Sequence, residues 1–465
     1  MGKGGDGEDM AILGVTFPYQ TGTAAPDPKR TLEDAKLQPF ASLDTLISPS
    51  MLQQCEGGEL FMATSALKPD DVLVEEAGRT RGGAARLDAI DMLRGLVIAF
   101  MVLDHVRDFF HVNADTFDPT DPLRTTPVIY LTRWITHLCA PTFVFLAGVS
   151  ILFQKMGGKS PAELSRFLLT RGLWLIFLDA TVVSFGFNFG PPLVFLGTIW
   201  SIGFSMVAMS LIARLSPRVV LAIGIAIVTC YPLLVSLTAG ATGIGHLLRA
   251  LMLAPEDNIL PRLAIAYAAF PWLGVMCLGF GLGPIYRLEP DRRAWILLPL
   301  AVGMLALFAI VRGLDGFGDP APWLTEPTPG QTAMSFMNVS KYPPSLDYDL
   351  ATLGVSILLF LALGHLRGWL ARRLLDFGRT PLFTYVAHIY IAHALMLAAG
   401  LALGRPERAI DYIGDYLSGA PLPLWGFPLW VTYAVWLLVL AILVPLAHWF
   451  AGIKRTRRDW WLGYL

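Results

Sequence analysis

The sequence predicts an all-α fold: a polytopic integral membrane protein of about ten transmembrane helices with both termini cytosolic. Three observations carry this. Of 465 residues, 54% are hydrophobic and only 15% charged, against about 25% charged in soluble domains. Mean hydropathy is +0.56. Apolar runs long enough to cross a bilayer recur from residue 89 to residue 450.

The expected spans are 89–110, 126–153, 166–187, 193–213, 217–239, 262–286, 294–312, 349–366, 381–403 and 424–450. An interfacial or re-entrant reading of 241–260 leaves a margin of one in that count. Basic residues orient the threading. Arg79, Arg81 and Arg86 precede the first span, and Lys155, Lys159 and Arg166 separate the second from the third. Arg214 and Arg218 follow the fourth, Arg287, Arg292 and Arg293 the sixth, and Arg367, Arg372, Arg373 and Arg379 the eighth. Lys454, Arg455, Arg457 and Arg458 follow the tenth. The alternate loops are poorer in Lys and Arg at every turn, so the 313–348 loop is expected outside, packed as a lid by its prolines and aromatics.

Three regions result. Residues 1–85, rich in Gly, Pro, Asp and Thr, read as a disordered cytosolic tail, or as partly upstream of a natural start at Met51 or Met62. Residues 86–453 form the membrane domain, and 454–465 a basic, aromatic cytosolic tail with Trp460 and Trp461 as an interface anchor. The acidic start MGKGGDGEDM has no long apolar core behind it, so no cleavable signal peptide is expected. A net charge of −1 offers no basic surface for nucleic acid. Cys55, Cys139, Cys230 and Cys277 make no paired pattern, so neither a disulfide framework nor a metal cluster is expected.

The first span, DAIDMLRGLVIAFMVLDHVRDFF, is the most informative segment. Each charge at membrane depth costs about 2.5–3.5 kcal/mol on insertion scales, yet this helix carries Asp91, Arg94, Asp104, His105, Arg107 and Asp108. Helical spacing puts Asp91, Arg94, His105 and Asp108 within about 100° of one face. Such a stripe must face the bundle interior or a hydrated passage. In the second span Arg133 and His137 are four apart and share a face, at the depth of His105. A neutral His can take a proton from a hydroxyl or amine, and Arg can hold an anion. In the ninth span His388 and His393, near Tyr385 and Tyr390, are five apart, which is poor for one metal; one of them is a candidate catalytic or substrate-orienting group. The glycines of GFGLGP follow no strand and read as close helix packing rather than a phosphate loop. Lys341 and Tyr342 of SKYPPSL lie outside, where they could contact substrate.

RLDAIDMLRGLVIAFMVLDHVRDFFH, LTRWITHLCAPTFVFLAG, RFLLTRGLWLIFLD, FPWLGVMCLGFGLGP and SFMNVSKYPPSL, in that order, resemble the bacterial DUF1624 membrane proteins. Those belong with the heparan-α-glucosaminide N-acetyltransferase catalytic-domain family, a branch of the transmembrane acyltransferases, and the resemblance covers about residues 85–450. It implies transfer of an acyl group from cytosolic acetyl-CoA, with no metal, to an acceptor across the membrane. In lysosomal relatives the acceptor is a glucosamine amine; here it would be an envelope sugar or glycolipid at the bacterial inner membrane, and a second copy of the chain is admitted as a partner. The active histidine of those relatives lies after the first span, where His105 and His111 are the comparable residues.

Acyl transfer needs a base near the acceptor and a donor for the tetrahedral oxyanion. The expected catalytic set is therefore His105, oriented by Asp104 or Asp108, with His137 and Arg133. Asp91, Arg94, His388 and His393 are assigned to the donor's path, with Arg94 and its basic neighbours holding the CoA phosphates. His111, Lys341 and Tyr342 are assigned to the acceptor. The same buried charges would suit a proton-coupled secondary transporter, although no inverted repeat is visible, or an accessory subunit whose charges are purely structural.

Overall fold

The computed structural model describes residues 69–465 except 113, 115–116, 256–258, 406–409, 419–424, 458 and 465, with side chains from Asp88 onward. Residues 81–465 form one unit, which holds the membrane bundle; of a second, residues 19–80, only the helical backbone of 69–80 is described. The expectations for residues 1–68, including alternative starts and Cys55, lie outside the described residues. Residues 69–85 are expected in the tail, but their backbone is already helical.

In chain order the helices are α1 (Pro69–Phe110), α2 (Pro127–Thr136), α3 (Cys139–Met156), α4 (Pro161–Leu178), α5 (Ser184–Phe187) and α6 (Thr198–Ile212). Next come α7 (Pro217–Leu237), α8 (Ile244–Met252), α9 (Ala269–Tyr286), α10 (Pro290–Leu314) and α11 (Pro329–Met337). The last are α12 (Leu346–Leu363), α13 (Trp369–Arg379), α14 (Pro381–Ala402), α15 (Tyr412–Leu417) and α16 (Leu429–Thr456). Starts follow local chemistry. Ser160 and Glu163 form a reciprocal capping box before Pro161, and Ser216, Thr328 and Ser345 cap α7, α11 and α12.

Among the described residues, eight helices are long and apolar enough to cross a membrane: α2 with α3, α4 with α5, α7, α9, α10, α12, α14 and α16. Of the ten expected spans, the other two correspond to the charged end of α1 and to α6, an apolar helix of 15 residues. The 241–260 stretch holds the short helix α8, most of whose surface is not buried. The second span is broken at His137 and Leu138, between α2 and α3. The fourth and sixth spans begin as extended chain: β1 (Val194–Leu196) pairs in parallel with β2 (Leu263–Ile265).

Close packing holds α3 on α9, α4 on α6 and α7 on α9. Glycines permit it. A Cβ at Gly279 would strike the Phe145 carbonyl, and one at Gly148 the Met276 carbonyl. The GFGLGP glycines are therefore packing residues, as the sequence suggests. The long connections are tied to the bundle by buried and half-buried arginines. Arg262 bonds both oxygens of Asp411 at 2.6 and 3.1 Å and the carbonyls of Pro191 and Pro192 at 2.7 Å. The 313–345 connection is folded onto the bundle. Buried Arg312 donates to the carbonyls of Ala321, Ser335, Phe336 and Asn338 at 2.7–3.3 Å. Tyr130 and Trp134 of α2 donate to Met334 and Met337 of α11.

Candidate active site

The charged end of α1 presents two polar faces rather than the single stripe expected. Residues 104, 107 and 108 fall on one side because positions three and four apart stack. His105 lies about 100° round the helix from Asp104.

On the first side a charge cluster is buried. Arg133 of α2 holds Asp104 through both carboxylate oxygens at 2.9 and 3.0 Å, and Thr136 donates to it at 2.9 Å. Arg107 lies 3.4 Å from Asp104 and 2.6 Å from Asp108. Lys341, from the loop over the bundle, brings its ammonium to 4.0 Å of Asp104. Tyr342 packs beside Lys341 and interacts with Arg133. Arg133, Lys341 and Tyr342 thus meet around Asp104, and the loop covers them. His137 joins through its backbone: its carbonyl accepts from Tyr348, whose ring meets the imidazole edge-on. His111 is buried just past α1 and bridges to Phe427.

On the second side His105 meets His388 of α14, Nδ1 to Nε2 at 2.7 Å, with the rings parallel. This corrects the expectation that a carboxylate orients His105: Asp104 and Asp108 are spent on arginines. The hydrogens follow from acceptor chemistry. His388 Nδ1 lies 3.1 Å from the Thr384 carbonyl, which only accepts, so Nδ1 carries the hydrogen. In a neutral ring Nε2 then accepts, so His105 Nδ1 must donate to it. His105 Nε2 is left with a lone pair and no hydrogen-bond partner among the described residues. His388 is fully buried, whereas His105 keeps part of its surface accessible inside the bundle. His393 stands apart from the pair: it bonds the Gly186 carbonyl at 2.7 Å and stacks on Phe189.

A cavity of about 500 Å³ extends as far as Tyr385, whose ring stands beside the pair; neither imidazole lines it. Lys159, which is exposed, with Gln154 and Pro381, lies at its mouth; Arg94 and Arg171 line it further in; Met101, Thr198 and Tyr385 stand at its inner end. Arg94 is held by Asp91 at 2.7 Å and by Ser150, and Arg379 lies 3.9 Å from Asp91. The Tyr385 ring is edge-on to both imidazoles, at centroid distances of 6.3 Å from His105 and 5.5 Å from His388. Two residues lining the cavity, Arg171 and Ser150, sit in apolar runs with no spacing signal; Asp179, outside its lining, accepts from Gly197 and Trp200 at the start of α6 and lies in a π-turn. Among the described residues no group of three or more His, Cys, Asp or Glu side chains could hold a metal.

A search of curated proteins found no match to this chain. The first-span charges and His105 lie within a segment that does match a family model, whereas His388 of α14 lies outside it. Residues 86–312 match the model of the family described as heparan-alpha-glucosaminide N-acetyltransferase, catalytic, and the apolar helices of the described residues are those of an integral membrane protein.

Proposed function

We propose that the protein is a membrane acyltransferase that takes an acyl group from acyl-CoA at the mouth of the cavity and delivers it to an amine or hydroxyl of a sugar or glycolipid. The mouth is on the cytosolic side in this reading, and the membrane is the bacterial inner membrane. One observation carries it: a cavity with cations near its mouth and a lone-pair imidazole behind its far wall. Arg94, Lys159 and Arg171 suit the phosphates of CoA, which cannot leave water without such partners. The apolar middle, with Phe143, Ile199 and Met206, suits the pantetheine arm.

The chemistry follows from the hydrogen-bond order. His105 Nε2 takes the proton of the attacking amine or hydroxyl, or attacks the thioester itself. As positive charge develops on His105, its Nδ1–H···His388 bond strengthens, and His388 passes the polarisation to the Thr384 carbonyl. The charge cluster of Asp104, Arg107, Asp108, Arg133 and Lys341 lies on the acceptor's side. Lys341, Tyr342 and Arg133 are positioned to bond a polar acceptor there, under the 313–345 cover.

The test is transfer from labelled acetyl-CoA by the purified protein to added amino sugars and to envelope glycolipid extracts. Parental protein should consume acetyl-CoA. His105→Ala and His388→Ala variants should lose about 100-fold or more of that rate and still bind CoA, because neither imidazole lines the cavity. Parental protein that neither hydrolyses nor transfers acetyl-CoA would end this reading.

A further inference from the structure

Expelling CoA as a thiolate inside a low-dielectric bundle is costly, so a proton donor is needed where the carbon–sulfur bond breaks. A phenol, with a pKa near 10, is a slightly weaker acid than an alkyl thiol near 8.5, so a tyrosine hydroxyl can protonate that sulfur when a protonated imidazole beside it replaces the proton. Three hydroxyl-bearing residues line the cavity: Ser150, Thr198 and Tyr385. Ser150 is occupied, donating to the Leu146 carbonyl and accepting from Arg94. Thr198 is engaged by the Tyr267 hydroxyl. Tyr385 makes no side-chain hydrogen bond among the described residues, is 5% exposed, and is the one of the three whose ring touches the imidazole pair.

We propose that Tyr385 is the general acid of the reaction, giving its proton to the departing sulfur of CoA; this rests on the acyltransferase reading above. The balance is complete. The acceptor's nitrogen or oxygen bonds the carbonyl carbon and the carbon–sulfur bond breaks. The acceptor's proton goes to His105, the Tyr385 proton goes to sulfur, and the phenolate recovers a proton from the histidine pair beside it. The products are the acylated acceptor and CoA thiol, with every group of the protein restored. The tyrosine also separates cavity from imidazoles, so the thioester carbon must come to rest against its ring before His105 can act. The sulfur is then the atom presented to the hydroxyl.

The test compares Tyr385→Phe with the parent on two donors, acetyl-CoA and an acetyl thioester of an aryl thiol whose sulfur leaves without protonation. With acetyl-CoA, kcat should fall about 100-fold while KM stays at the parental value. With the aryl thioester, parent and variant should run at nearly the same rate. The ratio of the two donors' rates in one preparation does not depend on how much of it is folded, so partial misfolding does not blur the result. A variant at the parental kcat, or one that loses both donors equally, would overturn the assignment and leave the acyltransferase reading standing. A parent inert towards both donors would overturn the reading and this assignment with it.

Discussion

The buried charge cluster makes an unequal prediction for its members. Counted formally, Asp104 and Asp108 face Arg107, Arg133 and Lys341, so the cluster carries a surplus of one positive charge. Replacing Asp104 by Asn leaves three cations against one carboxylate and strips Arg133 of its bidentate partner at 2.9 and 3.0 Å. Removing one partner of a buried pair costs about 3–5 kcal/mol, and the larger surplus puts Asp104→Asn at the upper end. Arg133→Met instead balances the cluster at two and two. Asp104 keeps Thr136 at 2.9 Å, Arg107 at 3.4 Å and Lys341 at 4.0 Å. Its loss should be about 1–3 kcal/mol, the penalty of hydrogen bonds left unmade. The double variant returns the surplus to its parental value and should be more stable than Asp104→Asn alone, the sign of a coupled pair. Unfolding midpoints in one detergent, compared as a rank order because a chain of this size need not unfold in one step, check this. If Asp104→Asn melted with the parent, or the second substitution failed to recover any of its loss, the cluster would not be an ion-paired unit.

Three further outcomes are expected. Gly279→Val should abolish accumulation of folded protein, because any side chain there meets the Phe145 backbone across the α3–α9 contact; overpacking costs about 1–3 kcal/mol even where side chains can give way, and backbone gives less. Arg312→Ala bares four carbonyls that its guanidinium now satisfies, at about 1–3 kcal/mol for each one left bare, so limited proteolysis should cut within 315–340 in the variant and spare the parent. The Asp411 carboxyl is held below the usual carboxylate range, first by its hydrogen bonds from Arg262. A lowered folded value means the clamp contributes above the unfolded value near 4 and is lost as pH falls through the folded one. Asp411→Asn should therefore shift the melting midpoint equally at pH 6 and pH 8, and a difference between those two would contradict the assignment.

Much of the fold is legible in the sequence because bilayer thickness dictates span length and burial dictates composition. What sequence cannot supply is rotation about each helix axis near residues 104–108. A face about 100° wide contains both the Asp104 and the His105 side, so periodicity groups His105 with Asp108 when packing separates them. His388 carries the spacing of an ambiguous pair, and only the approach of α14 to α1 chooses it over His393. The residues lining the cavity are invisible for a different reason: a void is defined by neighbours from five helices, the α3–α4 loop and the C-terminal segment, and Ser150, Thr198 and Leu175 look like ordinary span residues in isolation. Arg312 reads in the sequence only as the last residue of a span. An arginine facing a long polar loop is nevertheless a signal, since its five donors suit a chain whose carbonyls are not paired in a helix.

The separation of the two polar faces has a physical logic. Charges inside a bilayer are tolerable when they are paired among themselves, and the Asp104 cluster does that against the covering loop. The reacting pair is built differently, from two imidazoles and a phenol that are all uncharged at rest. A thioester and an ester or amide are likewise uncharged, so in the proposed reading direct transfer of an acyl group brings no net charge into the low-dielectric interior. In the proposed reading the charged parts of the donor would stay where Arg94, Lys159 and Arg171 line the cavity, and only the neutral carbonyl would pass Tyr385; a phosphoryl or sulfuryl group would instead carry its anion into the same space.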